Sequence, residues 1–240
     1  MLKPFARLLV VAGMAGATLS AQAADINLQP FATQGDFEAA MQDLTAAFSY
    51  KPLQPAEPAG TLGFNLGIVA SYTGIENEQA WRNITGEDFD DLGMIALAAT
   101  KGLPLGIDVG AFIADVPDTN VSLYGAEIRY AFMEGGIATP AVGLRLAHTW
   151  VEGVDDLEFD TTSVDVSVSK GFPLVTPYVG AGRVFGTADP QGITTLSEAD
   201  INENKFYAGV RFSLLLFKAT AELDQTGDNT SYNLRLGFGF

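Results

Sequence analysis

The chain has no cysteine and a single histidine, His148, among its 240 residues. No disulfide can staple the fold, no thiolate can hold a metal, and two-histidine metal motifs are excluded. Positive charge is also scarce: 13 Lys and Arg stand against 29 Asp and Glu, a formal net charge of −16. That balance excludes a nucleic-acid binder, which needs clustered bases to neutralise phosphates. It equally excludes simple electrostatic adhesion to an anionic membrane. Beyond the first 23 residues there is no run of 18 apolar residues, so helical spans are not expected. Yet 48% of the chain is hydrophobic. Apolar content without long blocks has to be dispersed through alternating strands.

Residues 1–23 have the layout of a cleaved signal peptide. Lys3 and Arg7 precede an apolar core over 8–17, and Ala21-Gln22-Ala23 is a small-x-small cleavage site, so a mature start at Ala24 is expected. Removing Lys3 and Arg7 with no acid moves the net charge from −16 to −18. Residues 24–60 then form a unit of their own. Thr33 to Asp36 offers a helix start with an acid at the positive end of the dipole. Phe37, Met41, Leu44 and Phe48 make a narrow amphipathic stripe. Pro52, Pro55 and Pro58 then force extended backbone. Acids rather than bases flank the stripe, so this helix and its proline-rich tail are expected in the lumen or at the periplasmic mouth of a barrel rather than on a membrane surface.

Residues 61–240 read as ten strands: 61–72, 93–101, 105–116, 120–132, 140–151, 161–170, 176–186, 205–216, 218–225 and 230–240. One face of each is apolar; the other carries Gly, Ser and charged residues. Connections alternate between short turns and longer stretches, the longest being the polar loops 74–92 and 187–204. An even strand number with this alternation fits a transmembrane antiparallel up-and-down β-barrel. A soluble sandwich or lipocalin-like barrel could show the same period with its apolar face turned inward. Gathering of aromatics near strand ends favours the membrane form.

The last strand carries the pattern most cleanly. Tyr232, Leu234, Leu236, Phe238 and Phe240 share one face, while Asn233, Arg235, Gly237 and Gly239 share the other. With its terminal Phe, this stretch resembles the closing strand of bacterial outer-membrane β-barrel proteins, and the layout is similar to OmpA-, OmpW- and opacity-type barrels. The resemblance implies an outer-membrane location, contact with outer-membrane lipids and lipopolysaccharide, and a terminal strand read by the outer-membrane assembly machinery. It implies neither a cofactor nor a ligand.

If the apolar face meets lipid, the lumen receives Asp108, Glu127, Arg129, Arg145, Asp165, Arg211, Lys218, Glu222, Asp224 and Arg235. Both signs are present, so mutual pairing across a mostly closed interior is expected. Arg183 can be phased to either face. No catalytic residue is assigned. His148 alternates with Leu146 and Trp150 and lacks a marked nucleophile; omptin-like paired Asp and Asp-His motifs are also missing. Acid clusters at Glu76, Glu78, Glu87, Asp88, Asp90 and Asp91, at Asp155, Asp156 and Glu158, and at Glu198, Asp200 and Glu203 suit hard cations in ligand type, but none has a calcium-loop spacing. A non-enzymatic barrel is therefore expected, serving envelope structure, surface binding or limited solute passage. The alternatives are a narrow channel gated by residues 24–60 and, more remotely, a hydrolase using His148.

Overall fold

The computed structural model describes residues 33–86, 88–136, 138–154 and 156–240; the signal peptide expected over 1–23 lies outside them. Helix α1 (Gln34–Phe48) comes first. The strands follow: β1 (Phe64–Gly74), β2 (Asp91–Gly102), β3 (Ile107–Asp115), β4 (Ser122–Glu134) and β5 (Ala141–Glu152). After them come β6 (Leu157–Ser169), β7 (Val175–Pro190), β8 (Ala199–Leu214), β9 (Phe217–Thr226) and β10 (Asn229–Gly239). Each pairs antiparallel with its sequence neighbour, and β1 pairs with β10 from Asn65↔Gly239 to Thr73↔Ser231, so the sheet closes on itself. Closure leaves no strand edge unpaired.

Side-chain alternation then sorts the residues. Ile68, Leu97, Val179, Leu223 and Leu236 point outward, and each is at least 44% exposed. A soluble barrel would bury such residues; this one presents an apolar band that only lipid can satisfy. Tyr72, Tyr124, Trp150 and Tyr232 ring one end, and Phe64, Phe132, Phe217, Phe238 and Phe240 ring the other. These are the aromatic girdles of a transmembrane barrel. The Phe end carries the tight connections, including the 3-10 turn Pro104–Gly106. The opposite, loop end carries the 74–91 connection, within which helix α2 (Glu78–Thr85) is folded.

The expected polar loop over 187–204 is largely strand: β7 and β8 stay in register up to Ala188↔Ala199. Above the membrane the two faces exchange character. Thr187, Asp189, Asp200 and Asn202 point out to water, whereas Ala188, Ala199 and Ile201 point inward onto α1. β6 behaves alike, with Glu158 and Asp160 outside and Leu157 and Phe159 inside. The phase never breaks; only the polarity inverts. The hydrophobic core therefore sits at the loop end, where Phe37, Met41, Leu44 and Phe48 pack with Trp81, Ile84, Val121, Leu157, Phe159 and Ile201.

Candidate functional site

The site is the lumen, and its occupant is the chain's own N-terminal segment. Thr33 caps α1 by accepting the Asp36 N–H. At the same end the Gln34 side chain exchanges two hydrogen bonds with the Ser197 backbone in the β7–β8 loop. The helix is buried almost all round, not along the expected stripe alone. Within it, Asp43 accepts from Trp81 Nε1 at 2.9 Å, Asn229 Nδ2 at 2.6 Å, Asn77 Nδ2 at 3.1 Å and the backbone N–H groups of Glu76 and Asn77. One carboxylate thus ties α1 to the α2 loop and to β10.

Below the helix, the extended stretch 50–60 descends toward the turn end, meeting the wall at each step. Lys51 Nζ lies 3.2 Å from Asp224 Oδ2, and Lys205 shares that carboxylate at 3.8 Å while donating to the Tyr50 carbonyl. The Leu53 N–H donates to Glu222, as does the Tyr178 hydroxyl. Gln54 reaches Thr100, Arg129 donates to the Pro55 carbonyl, and the Glu57 N–H donates to Ser169. Arg211 pairs with the Glu57 carboxylate at 3.0 Å, and the Ala59 N–H ends the descent on Asp108 at 3.0 Å. A segment expected in the lumen or at the periplasmic mouth thus runs the length of the lumen, with its helix at the loop end. The gaps left beside Leu53 and Gln54 and beside Tyr50 are water-sized.

All ten lumen charges named from the sequence face inward, but they divide into two sets. Asp108 and Arg129 pair at 2.6 Å, and Arg145 grips Asp165 through two nitrogens at 2.9 and 2.5 Å, with the Tyr207 hydroxyl on the other oxygen. Glu127 lies 3.8 and 3.9 Å from Arg129 and Arg145, and neither of its oxygens has a hydrogen-bond partner. Buried groups in that state are where an ordered water belongs. The second set (Arg211, Lys218, Glu222, Asp224 and Arg235) does not pair internally. Its partners are the N-terminal segment, Lys205, the Tyr178, Thr226 and Asn233 side chains, the Asn65 side chain and the Ala98 carbonyl.

Asp43, Lys51, Glu57 and Lys205 escaped the sequence reading. Lys205 shares the parity of Arg211 on β8, so extending that alternation upward would have found it. Asp43 sits between Met41 and Leu44 inside an apolar stripe, the mark of a buried carboxylate with a job. Arg183 faces outward and donates to Asn202 at 3.3 Å. Tyr232, Leu234, Leu236 and Phe238 of the assembly pattern take the outer face of β10, and Phe240 follows its last residue. His148 is outward too: its Nδ1 is 2.8 Å from Thr162 Oγ1 and its Nε2 is 3.8 Å from Asp160 Oδ1, with the Trp150 ring at 4.4 Å. The β5–β6 ladder is unbroken through this trio, so its backbone N–H groups serve the sheet rather than an oxyanion. Among the described residues, no group of three His, Cys, Asp or Glu could hold a metal ion; Glu87 and Asp155 lie outside the described residues.

A closed ten-stranded antiparallel barrel with an apolar outer band and a charged lumen has the architecture of a transmembrane β-barrel. No protein-family model matches the chain, and no curated protein matches it. Solved structures do. The N-terminal β-barrel domain of Pseudomonas aeruginosa OprF is 18% identical, with 74% of this chain and 99% of that one covered and a TM-score of 0.37. Ail, the attachment invasion locus protein of Yersinia pestis, is 14% identical over 74% of this chain and 97% of its own, at a TM-score of 0.33. The KdgM porin, solved with disordered oligogalacturonate, is 6% identical over 74% and 99%, at a TM-score of 0.39.

Proposed function

We propose that this chain resides in the bacterial outer membrane as a non-enzymatic barrel kept closed by its own N-terminal segment. It serves envelope structure and surface binding in place of bulk solute flow. The observation that carries the reading is the unbroken line of contacts from Asp43 through Lys51 and Glu57 to Ala59, which threads the lumen and leaves an open cavity only beside Glu57 at the turn end. In this reading the loop end faces the cell exterior and the turn end the periplasm. The apolar band contacts outer-membrane lipid and, in the outer leaflet, lipopolysaccharide. The closing strand is the stretch read by the assembly machinery.

Planar-bilayer recordings test it. The full chain is expected to be silent, and a chain lacking residues 24–58 is expected to conduct small ions. Steady conductance from the full chain overturns the reading. A gated channel is the second reading, favoured by a plug held only by non-covalent contacts against a polar wall. It requires the full chain to open and reclose under applied voltage.

A further inference from the structure

The turn-end half of the lumen gathers positive charge. Arg211 on β8, Thr220 on β9 and Arg235 on β10 stand on one cross-strand row, because Arg211↔Thr220 and Thr220↔Arg235 are both register pairs. Lys218 sits one inward position nearer the turns, on the row Ser213↔Lys218↔Gly237. Two inter-strand steps place the two arginine backbones about 10 Å apart, within converging reach of two guanidinium side chains. All three line one water-sized gap together with Asn65, Gln54 and Thr220, and Arg211 and Glu57 also line an open cavity of about 650 Å³ at the turn end.

Glycines make the room that these side chains occupy. A Cβ on Gly67 would come within 3.2 Å of Arg235 Nε, and one on Gly239 within 2.8 Å of Lys218 Nζ. Charge compensation is incomplete. Glu57 of the plug pairs with Arg211, Lys218 donates to the neutral Asn65 side chain, and Arg235 donates to the Ala98 carbonyl. Glu222, one row nearer the loop end, already accepts from Leu53 and Tyr178. Arg211 Nε is buried with no hydrogen-bond partner. Three cations, two of them planar forks suited to oxyanions, are therefore opposed by the Glu57 carboxylate, itself 44% exposed, and by the more distant Glu127 facing Arg235.

We propose that Arg211, Lys218 and Arg235 form a binding site for a small multivalent oxyanion entering from the turn end, with Glu57 as the built-in competitor for its Arg211 position. Only the competing role of Glu57 rests on the plug being seated, since the three cations stand on the barrel strands. A conducting full chain would overturn the closed-barrel reading and leave the site standing.

Titration calorimetry on the full chain in detergent tests it, with inorganic phosphate as the probe and chloride as the control. Glu57→Gln is expected to bind phosphate at least about tenfold more tightly than the unsubstituted protein, since a competing charge a few ångströms away is removed. Adding Lys218→Gln to Glu57→Gln is expected to abolish the gain. The slower mobility of the heated than the unheated protein on gels shows that each variant is folded. Equal phosphate affinity with and without Glu57→Gln, or a gain that survives Lys218→Gln, overturns the proposal.

Discussion

At the scale of single residues, the lumen is governed by which charge would be left alone if its partner were removed. Asp224 holds both Lys51 and Lys205, each nearly free of solvent contact. Asp224→Ala strands two buried ammonium groups and is expected to destabilise the folded barrel by about 3–5 kcal/mol, read as a lowered urea midpoint. Lys51→Met leaves the Lys205–Asp224 pair in place and is expected to cost clearly less. Equal losses for the two variants would show that Asp224 is not the shared anchor. Asp43 presents a neutral counterpart. Its carboxylate satisfies Trp81, Asn77 and Asn229, so Asp43→Ala leaves several buried donors unpaired and is expected to cost on the order of 3 kcal/mol, with α1 loosening first. Limited proteolysis at α1 reads that loosening directly. His148→Ala, by contrast, is expected to leave lipid A and peptide turnover unchanged, because Thr162 and Asp160 form an interfacial cluster without a free donor pair beside it. A change in either turnover would revive the hydrolase reading.

At the scale of elements, the ten strands were legible because period two survives both faces, and each strand of the barrel overlaps its expected span. The boundaries were less legible where β6, β7 and β8 rise above the membrane. There the outward residues turn polar and the inward ones turn apolar, so Thr187 to Asn204 imitates a loop. The aromatic–glycine complementarity was not legible either. Phe112 lies against Gly125, Tyr207 against Gly180 and Tyr178 against Gly209, each directly opposite in register. A Cβ on Gly125 would fall 2.1 Å from the Phe112 ring, so Gly125→Val is expected to reduce the folded fraction sharply. The heat-modifiable band on a gel measures that fraction. On the outer face, Val166→Arg places a charge within the apolar band and is expected to cost roughly 2–4 kcal/mol near the bilayer midplane. An indifferent response would mean that this face does not meet lipid.

At the scale of the whole molecule, the acidic balance belongs to the exterior, because the lumen matches its bases with acids such as Asp43, Asp108, Glu127, Asp165, Glu222 and Asp224. Lys51, Arg129, Arg145, Lys205, Arg211, Lys218 and Arg235 are more than half of the chain's 13 Lys and Arg, and all face the interior. That leaves the exterior strongly acidic. The ten lumen charges were readable from parity alone. Their partners were not, since Lys51 and Glu57 come from a proline-rich stretch with no period to place it. Nor could α1 be placed at the loop end, because its apolar stripe is satisfied by Trp81, Phe159 and Ile201, which the sequence scatters over distant connections. The N-terminal segment lies inside the barrel. A chain without cysteine allows a direct check. A Cβ at Gly186 on β7 would lie 3.2 Å from the Thr45 Cβ of α1, close to disulfide spacing. In a Thr45→Cys, Gly186→Cys double variant, mild oxidation is expected to join the two within one chain, giving a faster-migrating, reductant-sensitive band after heat denaturation. A folded double variant that stays unlinked after oxidation would contradict that placement of α1.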